Sequence, residues 1–191
     1  MDGLWTCGVK YYPAFLGFRD ARTTTLAACY QNWNREKVWQ AVTRVIRTYR
    51  PDVLVTHATN GEYGHGAHRA MADAAQRCYS YAADPEKYPE DGEPWQVSKL
   101  YLHRWQENEQ RFDWSVGLSG FNGKTSYAVA TEALECHKSQ MNGFWTMAQG
   151  EKPFTDNTLF GLCRSTVGMD TDAADMMEHL PQALVGSGSG V

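Results

Sequence analysis

No Cys-x-x-Cys pair, no excess of basic residues and no long apolar run occurs in this 191-residue sequence. Its five cysteines, Cys7, Cys29, Cys78, Cys136 and Cys163, are scattered and odd in number. That argues against a four-cysteine zinc module and a disulfide framework, and it fits free thiols in a reducing, cytoplasmic compartment. None sits in a motif that would lower its pKa, so none is a candidate nucleophile. Lys plus Arg total 18 against 22 Asp plus Glu, a net charge of −4, which speaks against a nucleic-acid partner. No stretch approaches the ~20 apolar residues of a membrane span, and the first residues lack the basic and apolar regions of a signal peptide.

What remains is ordinary globular composition, 42% hydrophobic and 21% charged, on a chain long enough for one domain with a sizeable core. That domain is expected over residues 1–182, followed by a flexible Gly/Ser tail over 183–191. Residues 4–8 read as the end of a helix, with Gly8 suited to the left-handed position after it. Such an opening predicts further sequence upstream. Residues 9–18 are apolar enough for a strand, at an edge or bend because of Pro13. Several aromatics fall outside periodic segments, namely Trp95, Trp105, Trp114, Phe144 and Trp145. Packing of core and loops, or the lining of a carbohydrate-sized cleft, both account for them.

The spacing of Val38, Val42, Val45, Ile46 and Tyr49 predicts a helix over 34–49, capped by Asn34 and ended at Arg50-Pro51. Residues 53–55 form a short apolar run suited to a buried central strand, and it ends in Thr56-His57. A Gly-rich loop over 58–64 and a helix over 65–82 follow. This order predicts an α/β domain, whose ligands bind at loops beyond the carboxyl ends of the strands. Further on, 84–94 reads as a loop, 97–103 and 157–166 as strands, and 125–137 and 171–180 as helices.

The chemistry concentrates in Asn60-Gly61-Glu62-Tyr63-Gly64-His65-Gly66-Ala67-His68. Histidines at i and i+3 share one helix face, and a neutral imidazole is the commonest metal ligand. The same spacing also suits a chance pair of surface histidines. Glu62 reads more readily as a local ion-pair partner than as a substrate contact. His57, His103 and His137 are the other histidines that could approach the pocket. His57 reads more readily as a histidine satisfied by hydrogen bonds at the sheet end, and no substitute metal site is expected from the three.

Residues 61–68 resemble the second signature of the PIG-L, or LmbE-like, zinc-dependent de-N-acetylases, a Gly-Tyr-Gly-His stretch ending in H-x-x-H. Phe15-Leu16-Gly17-Phe18-Arg19-Asp20 resembles that family's F-L-G-x-R-D segment, and His137-Lys138-Ser139-Gln140 its H-x-S-Q segment. The resemblance covers about residues 9–145. It implies a Rossmann-like three-layer α/β/α fold with a mainly parallel sheet, here lacking the N-terminal strand or strands. It implies Zn2+ as cofactor with His68 as ligand, His65 and Tyr63 as catalytic residues, and Asp20, Arg19 and His137 on the substrate side. Asp20 reads also as a turn cap and Arg19 as a surface charge. The implied reaction is hydrolysis of an acetamide on an N-acetylglucosamine-type sugar or glycoconjugate. The family's first signature, H-x-D-D, supplies two further ligands and the general base, and no H-x-D-D occurs in this sequence. One of three ligands is therefore expected, with little activity from the chain alone. An uncovered sheet flank near Leu54 and Val55, and with it possible oligomerisation, is expected too. The competing reading is a non-catalytic sugar-binding or structural remnant of the same fold.

Overall fold

The computed structural model describes residues 1–20, 22–138, 159–172 and 175–180, with Tyr63 described by its backbone alone. Ser139, Gln140, Phe144, Trp145 and the tail 183–191 lie outside the described residues. Two compact units are formed, one from Met1–Phe15 and Phe112–Thr158, the other from Leu16–Arg111 and Leu159–Val191.

In the first unit, α1 (Asp2–Thr6) packs on α5 (Ser126–Glu135), whose N-terminus is capped by Thr125 accepting from Ala128 N. Gly8 takes the left-handed conformation after α1, at φ 79°. The strand expected over 9–18 does not form. Pro13 removes a donor, no described strand pairs with the segment, and Tyr11 and Phe15 stay exposed.

The second unit carries a four-stranded sheet of order β1-β2-β4-β3, with β1 Val53–Thr56, β2 Lys99–His103, β3 Glu109–Arg111 and β4 Leu159–Ser165. The α/β class expected from the sequence holds. The sheet is mixed, however, where a mainly parallel one is expected: β1 pairs parallel with β2, while β4 runs antiparallel to β2 and β3. A parallel pair needs a long crossover, usually helical, and α4 (Gly66–Tyr81) supplies one between β1 and β2. β4 arrives from far downstream and inserts between β2 and β3. The expected central strand, β1, therefore lies at an edge of the described sheet.

Helix α3 (Arg35–Tyr49) follows its amphipathic spacing, with Val38 and Ile46 buried. Asn34 caps it by accepting from Lys37 N at 3.1 Å, and Arg50 ends it in the left-handed region at φ 48°. Tyr49, although in phase, is exposed. The core forms where α3 and α4 meet Leu54, Leu100 and Leu102 of the sheet, with Trp95 and Trp105 packed at its margin. Packing thus accounts for these two tryptophans. Of the expected uncovered flank only Val55 is open, while Leu54 and the inner face of α3 are packed. A short helix the periodicity does not predict, α2 (Leu26–Asn32), packs on α4. Asp73 of α4 ties it in, accepting from Tyr30 Oη at 2.6 Å and Trp39 Nε1 at 3.1 Å.

On the opposite sheet face, Asp170 accepts from Lys99 and Tyr101, and from Gln110 Nε2 at 3.3 Å. The helix expected over 171–180 is a turn segment among its described residues. Glu178 folds it back by accepting from Thr171 N at 2.6 Å and Asp172 N at 2.8 Å. Among the described residues no helix is long and apolar enough to cross a membrane.

Candidate functional site

Parallel pairing aligns the carboxyl ends of β1 and β2, with Thr56 opposite Leu102. The next residues on each strand, His57 and His103, are thereby brought to the same end of the sheet. The loop after β1 turns through Ala58, and Gly61 N donates to Ala58 O at 2.8 Å. Gly61 has φ 70°, and a Cβ there would stand 2.9 Å from His65 O, so glycine is required. A single 3-10 turn, Glu62–Gly64, then feeds α4.

This tight path drives the Glu62 side chain back under the loop, where only 13% of it is exposed. Its Oε1 accepts from Ala58 N at 3.0 Å and lies 2.7 Å from His103 Nδ1. Its Oε2 meets His57 Nδ1 directly and lies 3.3 Å from His68 Nδ1. The His57 and His68 rings stack, with centroids 4.4 Å apart and planes 9° from parallel. Burial works against the charge on Glu62, but the Ala58 N–H, His103 and His57 outweigh it and hold the carboxyl below its ordinary range. Burial, followed by the neighbouring His57, depresses His68 below the usual imidazole value.

His65 caps α4, its Nδ1 accepting from Ala67 N at 3.3 Å. Its ring centroid is 5.1 Å from that of His68, and its Nε2 is 3.5 Å from Asp20 Oδ1. Asp20 reaches it because the segment before α2 is pinned to the start of α4. Trp33 Nε1 donates to Arg19 O at 2.6 Å, and Gly66 N donates to Thr23 O at 2.6 Å. A Cβ on Gly66 would collide with Thr23 and stand 2.8 Å from Thr25 O.

The expected pair His65 and His68 is thus brought together at the carboxyl end of β1, with Asp20 beside His65. Arg19 is exposed nearby in sequence, and its carbonyl is engaged by Trp33. The Tyr63 side chain lies outside the described residues. His137 belongs to the other unit, where with Leu4, Cys7, Pro13, Phe15 and Leu134 it lines an apolar cavity of about 550 Å³. Sequence reasoning gives Glu62 only a local ion pair, whereas it is the hub of three histidines. The available signal was positional: His57 and His103 stand at the ends of two apolar runs that pair in parallel. The donor set His57, Glu62 and His68, whose ligating atoms lie within 4.8 Å of one another, suits a divalent metal such as zinc.

Residues 7–79 match the model of the family described as PIG-L, GlcNAc-PI de-N-acetylase. A 1D-myo-inositol 2-acetamido-2-deoxy-alpha-D-glucopyranoside deacetylase 2 from Saccharopolyspora erythraea is 34% identical over 118 residues, 62% of this chain and 42% of that protein. A deacetylase 1 of the same name from Frankia alni is 48% identical over 62 residues, 32% of this chain and 22% of its own length. The chain therefore spans less than half the length of these relatives. Among solved structures, a conserved protein from Thermus thermophilus superposes with TM-score 0.48 at 15% identity, covering 89% of this chain and 73% of that one. Over residues 7–79 the chain is thus similar to the PIG-L, GlcNAc-PI de-N-acetylase family, and to deacetylases named for a glucosaminyl-inositol substrate.

Proposed function

We propose that the chain carries the histidine half of a zinc-dependent site that removes the acetyl group from an N-acetylglucosamine-type sugar, with a glucosaminyl-inositol as the first candidate substrate. The observation that carries this reading is the grouping of His65, His68 and Asp20 at one end of β1 inside the stretch that matches the family. The names of the curated relatives supply the substrate class.

His68 holds the metal in this reading. When bound, zinc supplies Lewis acidity toward the acetamide oxygen and an acidified water. His65 serves the leaving group. Charged during turnover, His65 gives the proton on Nε2, the nitrogen on the side of Asp20, to the departing amine as the C–N bond breaks, and is left as the neutral imidazole. Asp20 orients the ring, and its exposed carboxylate also accepts sugar hydroxyls, with Arg19 beside it. Tyr63 donates to the acyl oxygen as charge develops there. The partner is a small sugar or glycoconjugate, and the working compartment is the cytoplasm.

No H-x-D-D is present to take a proton from water, and a positioned base contributes roughly 10²–10⁴-fold. The chain alone should therefore release amine from the glucosaminyl-inositol substrate at least ~100-fold more slowly than the chain joined to a segment bearing H-x-D-D. His68→Ala in the joined protein should abolish release. Equal rates with and without the segment would refute the missing base, and activity surviving His68→Ala would refute the metal role. Sugar binding without turnover in the joined protein would favour a non-catalytic remnant.

A further inference from the structure

The geometry points to a divalent-metal site built wholly from this chain: His57 Nδ1, Glu62 Oε2 and His68 Nδ1. Zinc is then retained without any H-x-D-D ligand. Four observations converge on it. The ligating atoms lie within 4.8 Å of one another. The 3.3 Å between His68 Nδ1 and Glu62 Oε2 equals the edge of a tetrahedron with metal bonds of about 2.0–2.1 Å, roughly 3.3–3.4 Å. The stacked rings of His57 and His68 both turn Nδ1 toward the same carboxylate oxygen. That oxygen is buried.

The support behind the site is equally specific. Ala58 N–H and His103 Nδ1 occupy Oε1 of Glu62, which fixes the carboxylate and turns Oε2 toward His57 and His68. Outer partners of this kind orient metal-binding carboxylates. Two histidines and one glutamate form a known catalytic zinc donor set, which keeps a fourth position open. Here His57 is 41% exposed on its side chain, and His65 adjoins His68. A purely structural reading, three histidines neutralising one buried carboxylate, uses the same contacts but binds no ion.

The test uses the purified chain with Zn2+ and Co2+ alone, and no substrate. Calorimetry should give one Zn2+ per chain, and bound Co2+ should show visible bands of a four-coordinate ion. His57→Ala, Glu62→Gln and His68→Ala should each weaken binding ~100-fold or more, and His103→Ala roughly 10–100-fold through Glu62. His179→Ala should change nothing. Imidazole 15N spectra of the unmutated chain guard against variants that fail to fold: Zn2+ should shift Nδ1 of His57 and His68 and leave Nδ1 of His65 in place. Absence of binding, or shifts at other histidines, or full affinity in folded His57→Ala and Glu62→Gln, would overturn the site. A chain that binds zinc here while the H-x-D-D-joined protein releases no amine would keep this inference and sink the deacetylase reading.

Discussion

Glu62 decides what the histidines around it can be. Held below the ordinary carboxylate range, it stays ionised while His68, held below the ordinary imidazole range, stays neutral. Both shifts act in the same direction on stability. For each group the unfolded chain binds the proton more readily, so the stability each contributes is present above its unfolded value, ~4.3 for Glu and ~6.5 for His, and is lost as pH falls through the folded value. With metal chelated, the urea-derived unfolding free energy should therefore decline as pH is lowered from 7 to 4, and Glu62→Gln should flatten the part below about pH 5. A profile that rises toward acid, or one that Glu62→Gln leaves unchanged, would contradict the carboxylate's role. Little of this was legible in the sequence. H-x-x-H spacing reveals His65 and His68 because it is local. The partnership of Glu62 with His103 depends on strand pairing across 41 residues.

Elements were readable in proportion to how locally they are determined. Helix α3 has its cap, its apolar stripe and its terminating Arg-Pro within one stretch of chain, and it forms where the spacing places it. Residues 9–18 have strand composition but pair with no described strand, and composition cannot supply a partner. The antiparallel insertion of β4 between β2 and β3 is likewise a long-range event. Arg47 is a second example. Buried on α3, it donates to the carbonyls of Tyr81, Ala82, Asp84, Lys87, Tyr88 and Gly92, and so holds the loop after α4. In the sequence it is one more charge in a helix. Arg47→Ala should cost about 3 kcal/mol or more in urea unfolding, because several buried carbonyls lose a charged donor at once. A loss under about 1 kcal/mol would show that water or a rearranged loop replaces the guanidinium.

At the scale of the whole molecule, the candidate site falls within a single compact unit: β1, β2, α4 and the segment before α2 supply His57, His103, His65, His68, Glu62 and Asp20. The family match over residues 7–79 covers every one of these except His103. The sequence signatures point to the carboxyl end of β1, where the fold also places His57 and Glu62 beside His68. The central claim is that this end of the sheet is a metal site adjoining His65. Its most direct test is a crystal of the chain equilibrated with zinc and measured on both sides of the zinc absorption edge. The anomalous difference map should show one peak about 2.0–2.2 Å from His57 Nδ1, Glu62 Oε2 and His68 Nδ1. A map with no peak there, or with the ion held by other residues, would contradict the account.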